Sequence, residues 1–440
     1  MGTHQGFSTR ALSLQARFDA KQGCWVLINT TNFPLAGKNN AHWFLLTTAP
    51  KTAMPPQETS DSSWSVVEKI RQSPPVDVTK PYDTTTLSGK SILITGGASG
   101  FGAAFARHWA AHGSHIFIGD LNDAAGEELI AELRAISPSS SSSTIHAYFH
   151  CDVTSWNDQV SLFKSAIAAS PTGGIDCVVA GAGIVDVENG FDSPRKRDDE
   201  DGPVEPKLKV IDVNFKGVMY TTHLGLYYLP RNGAAAAAAG DDNDLVETKK
   251  KKKARDRHIL LVSSVAGIMP LPSQTEYSAS KHAVMGMFRT LRGTSWLKGI
   301  RVNVINPYFV ETPLLTFGGR VLLAGAPKGE VEDVVDAATR LVADEEIVGR
   351  ALMIGPKMKV AFDGEDGTPV LDLDQQEGSE TRAVWEIYGH DYEQVETFVW
   401  RYLTMLNAAK SVYGWKKTAR EWWAIFTGGS GQQQKKKKEH

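Results

Sequence analysis

The feature that most constrains the fold is an alternation of short apolar runs with helical segments, which begins at Lys90. The runs are apolar almost throughout, which is typical of parallel strands buried on both faces of a sheet. Such alternation favours a doubly wound α/β sheet with right-handed crossovers and helices on both faces. We therefore predict a seven-stranded parallel sheet of the Rossmann type, with strands at Ser91–Thr95, His115–Gly119, Ile145–His150, Ile175–Ala180, His258–Ser263, Ile300–Asn306 and Arg350–Ile354.

Composition divides the chain into four parts. Residues 1–86 are predicted to be an extension and linker, and the sheet pattern fills residues 87–375. Residues 232–256 interrupt this pattern with six consecutive alanines, an acidic cluster and five lysines, which indicates a solvated insertion, with a nuclear-import or anionic-surface patch as the alternative.

The remaining two parts lie at the end of the chain. Apolar residues recur at helical spacing in residues 376–427, which predicts a helical segment that covers a site, forms a subunit interface or touches a membrane surface. Residues 428–440 are predicted to be a disordered basic tail.

A glycine-rich turn, Thr95–Gly102, directly follows the first strand. Gly96 permits a tight turn, Gly100 lets the backbone approach a pyrophosphate, and Gly102 allows close packing of helix on strand. The helix that begins near Phe101 supplies free N–H groups and positive potential for phosphate. A strand before these glycines and a helix after them indicate a dinucleotide site rather than an ordinary glycine turn.

Acidic and small residues at the next strand ends extend this pattern. Asp120 can accept hydrogen bonds from the adenosine ribose hydroxyls and would repel a 2′-phosphate. No Lys or Arg follows it directly, and Ser99 occupies a turn position that could hold a basic residue, so the pattern favours NAD over NADP. Asp152 is a candidate for binding adenine or, alternatively, for starting a turn. The small residues Ala180–Gly183 would let a cofactor lie against the backbone.

A tyrosine and a lysine four residues apart, Tyr277 and Lys281, carry the chemistry. On a helix this spacing places both side chains on one face, about 5–6 Å apart at their Cβ atoms. A nearby cation favours the phenolate, so we expect Lys281 to lower the pKa of Tyr277. Ser263 and Ser264 end the fifth predicted strand, and Asn214 lies in a helical apolar pattern where a buried amide needs partners.

Together these motifs resemble the short-chain dehydrogenase/reductase family over residues 87–358. The matching positions are Thr95–Gly102, Asp120, Asp152, Ala180–Gly183, Asn214, Ser264, Tyr277, Lys281 and Asn306–Pro313. The family serine lies thirteen positions before the tyrosine, which selects Ser264 over Ser263. The ending Val348–Ile354 is similar to the last strand of hydroxyprostaglandin-type dehydrogenases.

The chain departs from the family pattern at two places. The family usually has Asn-Asn-Ala-Gly where this chain has Ala180–Gly183, which affects stability more than chemistry. It also usually has Pro-Gly where Pro307 precedes Tyr308, so the loop beside the nicotinamide is expected to take another path.

The resemblance implies an NAD-dependent oxidoreductase that reversibly oxidises a secondary alcohol to a ketone. Tyr277 would be the general base, Lys281 would lower its pKa and hold the nicotinamide ribose, Ser264 would bind the substrate oxygen, and Asn214 would position a water. The implied cofactor-binding set is Gly96, Ser99, Gly100, Phe101, Gly102, Asp120, Asp152, Val153, Ala180, Gly181, Tyr277, Lys281, Pro307, Val310 and Thr312. An NADPH-dependent ketoreductase and a non-catalytic NAD-binding sensor are the alternatives.

Composition limits the partners. The net charge of −3 argues against bulk nucleic-acid binding, and no metal-ligand spacing occurs. No apolar run approaches the roughly 18 residues that span a bilayer. The three cysteines are typical of reduced intracellular thiols. We expect an apolar alcohol or ketone as substrate, a homodimer or homotetramer, and a cytoplasmic location, with mitochondrial or peripheral-membrane placement left open.

Overall fold

The computed structural model describes residues 14–19, 24–29, 72–137, 144–186, 191–192, 194, 202–232, 255–363, 368–371 and 380–388. Contacts divide the chain into two compact units, Met1–Ser60 with Lys359–Glu380, and Asp61–Met358 with Thr381–His440. In the first unit, β1 (Leu14–Asp19) and β2 (Cys24–Asn29) form an antiparallel hairpin.

The described part of the second unit is built on seven parallel strands, which are β3 (Ser91–Thr95), β4 (His115–Asp120), β5 (His146–His150), β6 (Cys177–Ala180), β7 (His258–Val262), β8 (Arg301–Pro307) and β9 (Ala351–Asp363). They lie side by side in the order β5-β4-β3-β6-β7-β8-β9. The first of these strands in sequence, β3, lies inside the sheet, and the next two strands extend the sheet to one edge. The chain then returns to the other side of β3, where β6 begins the second half, so the connections diverge between β3 and β6. The predicted fold class is confirmed, but among the described residues the sheet has nine strands and not the predicted seven, because two further strands pair with β9.

Helices cover both faces of this sheet. They are α1 (Gly100–Ala111), α2 (Asp123–Ile136), α3 (Trp156–Ala169), α4 (Lys209–Ile211), α5 (Val218–Tyr228), α6 (Thr275–Leu291), α7 (Phe317–Leu322) and α8 (Val331–Ala343). A π-helical turn, Asp212–Gly217, joins α4 to α5. Among the described residues no helix has the length and hydropathy to cross a bilayer.

Alternating side chains of the central strand enter two separate cores. Ile92 and Ile94 pack with residues of α1, α2 and α8, whereas Leu93 packs with residues of α3, α5 and α6. Each residue of β3, β6, β7 and β8 is buried. This two-sided burial explains why the strands are apolar almost throughout.

The domain boundaries differ from the predicted ones at both ends. Residues 72–86 were assigned to the linker, yet Val76, Val78 and Tyr82 pack against the core of the second unit. At the other end, β9 continues to Asp363, and its last residues, Val360–Asp363, lie in the first unit, where they pair antiparallel with β10 (Thr368–Leu371). The sheet unit therefore takes in part of the linker and does not extend to residue 375.

The helix predicted within residues 376–427 is wrong where the structure describes it. Residues Glu380–Ile387 form a strand, β11, that pairs with β9. Thr381, Val384 and Ile387 are β-branched and suit a pleated strand better than a helix. An ion pair of 3.0 Å between Arg350 and Glu386 ties β11 to the unit. The rest of this segment and the tail 428–440 lie outside the described residues.

The insertion leaves and re-enters the sheet unit at one place. Asn232 Oδ1 accepts a hydrogen bond from the backbone N–H of Ile175 at 2.9 Å, and Asn232 Nδ2 donates to the carbonyl of Asp256 at 3.4 Å. Residues 233–254 lie outside the described part of the chain. Because its two ends are bonded to each other, the insertion adds chain without separating β6 from β7, which remain paired.

Candidate active site

The carboxyl ends of the central strands border a cavity of about 390 Å³. A smaller chamber of about 100 Å³ adjoins it and shares Phe101, Ser263, Tyr277, Thr312 and Leu314 with it. Another cavity, of about 580 Å³, lies against residues 73–86 and 340–347 and contains none of the predicted site residues. The two adjoining cavities lie where the strand connections diverge, which is the usual ligand position in such sheets.

Close packing explains two of the three glycines of the turn for which a role is predicted from the sequence, Gly96 and Gly102. Gly96 has a φ of +69°, and a Cβ atom there would lie 2.5 Å from the Cα atom of Ala182. A Cβ atom on Gly102 would lie 2.3 Å from the carbonyl oxygen of Gly96. The predicted tight turn and close helix packing are therefore present.

The third glycine, Gly100, is the first residue of α1 and lines the larger cavity. Gly100 has a φ of +50°, and a Cβ atom there would meet only Thr312, at 4.0 Å. Ser99 precedes the helix in an extended conformation, and its side chain makes no capping hydrogen bond. The first N–H groups of α1 thus lack a side-chain acceptor at the helix start and border open space, as an anion site requires.

Asp120 has a structural contact that sequence reasoning missed. Its Oδ2 accepts a hydrogen bond from the N–H of Ala98 at 3.0 Å, and its Oδ1 accepts one from the N–H of Asn122 at 3.1 Å. The carboxylate therefore holds the glycine-rich turn while it also lines the larger cavity.

Asp152 starts a turn, which was the alternative interpretation of this residue. Its Oδ1 accepts hydrogen bonds from the N–H and the hydroxyl of Thr154, both at 2.8 Å. Asp152 and the buried Val153 both line the larger cavity. Lys209 lines it too, and no motif marks this residue.

The side chains of Tyr277 and Lys281 lie on the same face of α6. Lys281 Nζ is 5.6 Å from the centroid of the Tyr277 ring and donates a hydrogen bond to the carbonyl of Val262 at 3.1 Å. Burial lowers the pKa of Lys281 to about 8. The predicted geometry of the pair is therefore present.

The predicted lowering of the Tyr277 pKa is not found in the protein alone. Burial raises the pKa of Tyr277, and a hydrogen bond with Ser264 offsets only part of that effect. Burial is the largest cause of this shift. The Lys281 ammonium, 5.6 Å from the centroid of the Tyr277 ring, donates its hydrogen bond to the Val262 carbonyl. Ser264 Oγ also accepts a hydrogen bond from the N–H of Ala266 at 3.1 Å and donates a long one, 3.4 Å, to the Pro307 carbonyl.

Asn214 is fully buried in the π-helical turn. Its Oδ1 accepts from the N–H of Ile184 at 2.8 Å, and its Nδ2 donates to the Ile184 carbonyl at 2.8 Å and to Ser280 Oγ at 3.2 Å. The amide thus ties the segment after β6 to α6, and its described partners are protein groups.

The remaining predicted cofactor residues divide between the two cavities. Gly181 lines the larger one, Pro307 and Val310 line the smaller one, and Thr312 lines both. Ala180 is fully buried and borders neither cavity. No cluster of three or more His, Cys, Asp or Glu that could hold a metal ion occurs in the described ranges.

A doubly wound sheet with a glycine-rich turn and a Ser-Tyr-Lys group at one edge defines a dinucleotide-binding oxidoreductase. The family model for short chain dehydrogenases matches residues 90–238 and 246–318, and the chain belongs to this family. It is therefore an enzyme that acts on a CH–OH group with NAD or NADP as acceptor.

Three relatives show how far the likeness extends. The chain is 34% identical over 301 residues to a 5′-hydroxyaverantin dehydrogenase of Dothistroma septosporum, covering 65% of this chain and 91% of the relative. It is 35% identical over 312 residues to a 5′-hydroxyaverantin dehydrogenase of Emericella nidulans, with 67% and 93% covered. An NADP-dependent dehydrogenase of a Phoma species is 30% identical over 293 residues, with 64% and 79% covered. None of the three is a hydroxyprostaglandin dehydrogenase, so that narrower resemblance stays a prediction.

Proposed function

We propose that this protein reversibly oxidises an apolar secondary alcohol to a ketone with NAD, and that Tyr277 is the general base. The observation that carries the proposal is that Tyr277 lines both cavities, with Ser264 lining the smaller one and the Lys281 ammonium 5.6 Å from the centroid of the Tyr277 ring. A proton acceptor and a hydrogen-bond donor for the substrate oxygen thus face the same space as the glycine-rich turn.

The residues of the larger cavity fit a dinucleotide. The N–H groups at the start of α1 and the open space beside Gly100 suit a pyrophosphate. Asp120, at the end of β4, supports NAD because its carboxylate would repel a 2′-phosphate. An NADPH-dependent ketoreductase is the second candidate, favoured by the name of the Phoma relative and opposed by Asp120. When bound, the nicotinamide supplies the hydride acceptor.

Tyr277 Oη receives the alcohol proton in the oxidative direction. Burial raises the pKa of this phenol, so positive charge is needed nearby for it to ionise at neutral pH. Lys281, with a pKa of about 8, is mostly protonated at pH 7 and lies beside the ring, but it does not offset the effect of burial in the protein alone. The positive charge of a bound oxidised nicotinamide would add to that of Lys281. A positioned general base of this kind contributes about 10²–10⁴-fold to the rate.

Two further side chains hold the reacting groups in place. Ser264 Oγ can turn from the Pro307 carbonyl to the substrate oxygen, because the present hydrogen bond of 3.4 Å is long. Asn214 fixes the segment at Ile184 against Ser280 of α6, so it positions the helix that carries Tyr277.

NAD(P)H formation with a panel of apolar secondary alcohols, run with NAD and NADP in parallel, tests this function. We expect at least one alcohol to reduce NAD with a higher kcat/KM than NADP. Turnover with NADP alone would overturn the cofactor assignment, and NAD binding without any turnover would favour the sensor. His282→Gln is a matched control, since His282 adjoins Lys281 in sequence but is exposed and bonded to the Ser278 carbonyl.

We also propose a homodimeric or homotetrameric state and a cytoplasmic location, which family resemblance and composition support. Light scattering coupled to size-exclusion chromatography tests the first, and a monomer at micromolar concentration would contradict it. Fractionation of the cells that produce the protein tests the second.

A further inference from the structure

Two aromatic side chains, Tyr308 and Phe309, line the smaller chamber together with Tyr277 and Ser264. Their ring centroids are 4.9 Å apart and their planes meet at 83°. Both residues are partly exposed. The other large side chains of this chamber are apolar, namely Phe101, Val185, Val265, Leu271, Leu314 and Leu315.

The backbone holds both aromatic residues firmly. The N–H of Tyr308 donates to the Ile354 carbonyl at 2.7 Å, which continues the pairing of β8 with β9. The Phe309 carbonyl accepts from the N–H of Gly329 at 2.8 Å. The backbone of both residues is therefore held in place directly after the end of β8.

The side chain of Tyr308 is only partly buried. The family pattern has glycine at this position, and within the described ranges the only ring that contacts Tyr308 is that of Phe309. No described group forms a hydrogen bond with its hydroxyl. A large, partly exposed ring beside the reacting groups is thus available to a substrate.

We propose that Tyr308 and Phe309 form an aromatic wall that makes the enzyme prefer substrates with an aromatic ring attached to the reacting carbon. This inference rests on the proposed function, because it assigns the substrate class of the same site. Perpendicular rings present both an edge and a face, and aromatic pairs favour these two contacts by about 0.5–1.5 kcal/mol beyond area burial. The preference for an aryl over a saturated ring is therefore about 2- to 10-fold.

Two alcohols that differ only in ring saturation, 1-phenylethanol and 1-cyclohexylethanol, test this wall. We expect the kcat/KM ratio to favour 1-phenylethanol by about 2- to 10-fold. Tyr308→Leu should bring the ratio close to one, whereas Tyr308→Phe, the matched control, should keep it. A ratio near one in the unaltered enzyme, or one that Tyr308→Leu leaves unchanged, would overturn the inference and leave the proposed function standing.

A binding measurement separates the two claims. Acetophenone and cyclohexyl methyl ketone are titrated calorimetrically onto the Tyr277→Phe variant saturated with NADH, where turnover is not required. Tighter binding of acetophenone, lost in the Tyr277→Phe/Tyr308→Leu variant, supports the aromatic wall even if no alcohol is oxidised. Equal binding of both ketones, or binding of neither, refutes it.

Discussion

Replacement of Gly96 by alanine should destabilise the protein more than the same replacement at Gly89, a glycine that shares its backbone conformation. Both have positive φ, +69° at Gly96 and +76° at Gly89. A Cβ atom on Gly96 would lie 2.5 Å from Ala182 Cα, whereas one on Gly89 would have no atom within 4 Å. Comparison of Gly89→Ala with Gly96→Ala therefore separates two destabilising effects. Both variants have the cost of a strained backbone, and only Gly96→Ala adds a steric clash where the glycine-rich turn approaches the segment after β6.

The expected magnitudes follow from these two terms. A left-handed backbone costs an L-residue about 1–2 kcal/mol, which is the whole expected effect of Gly89→Ala. Overpacking against a fixed backbone atom adds about 1–3 kcal/mol at Gly96. Gly96→Ala should therefore lower the free energy of unfolding by about 2–5 kcal/mol, provided that the two costs are independent.

Urea unfolding of both variants, monitored by circular dichroism, measures these values, and calorimetric titration with NAD measures the consequence for the site. We expect weaker NAD binding only in Gly96→Ala, because the displaced turn carries the first N–H groups of α1. Equal unfolding free energies for the two variants, or unchanged NAD affinity in Gly96→Ala, would refute the role of this close approach.

Three further predictions concern charge. Asp120→Ala combined with Leu121→Arg should shift the kcat/KM ratio toward NADP by about tenfold, the effect of one contact of ~1.4 kcal/mol, and an unchanged ratio would refute the cofactor assignment. Burial raises the pKa of the Asp256 carboxyl, but the neighbouring Arg301 guanidinium outweighs it and holds that pKa far below its usual range. The stability that this ion pair contributes is fully present above about pH 4 and is lost as pH falls through the folded-state pKa of Asp256. Asp256→Asn should therefore lower the free energy of unfolding in urea by about 3–5 kcal/mol at pH 7, and this free energy should then fall less steeply with decreasing pH. Burial lowers the pKa of Lys281 from 10.5 to about 8, so the buried ammonium destabilises the fold below pH 8, and this cost disappears as pH rises toward 10.5. Without cofactor, Lys281→Met should therefore raise the free energy of unfolding by about 1–3 kcal/mol near pH 7. A gain in the free energy of unfolding that does not shrink at high pH would contradict this prediction.

The central strands and the glycine-rich turn were predictable because their signals are local. The run Ser91–Thr95 is strand β3 as predicted, and α1 begins at Gly100, one residue before the predicted start. Burial on both faces leaves a mark on each residue of such a strand. The spacing of Tyr277 and Lys281 likewise fixed their common face, since helix geometry alone determines it.

The remaining features depend on partners that are distant in sequence. β11 exists through its pairing with β9, and its apolar residues fit helical and strand periods alike over so short a run. Lys90 and Arg301 each bind Asp256 at 2.7 Å, although sequence spacing shows no relation among the three. The direction of the Tyr277 pKa shift also escaped prediction, because burial of the phenol by the folded chain decides it.

The catalytic assignment is tested most directly by measuring turnover and NAD affinity side by side on the Tyr277→Phe variant. Removal of the phenol oxygen leaves the glycine-rich turn and Asp120 in place, so NAD should bind with unchanged affinity. The alcohol proton then has no acceptor, and kcat should fall by about 10²–10⁴-fold. Near-normal turnover with intact NAD binding would show that another group is the base.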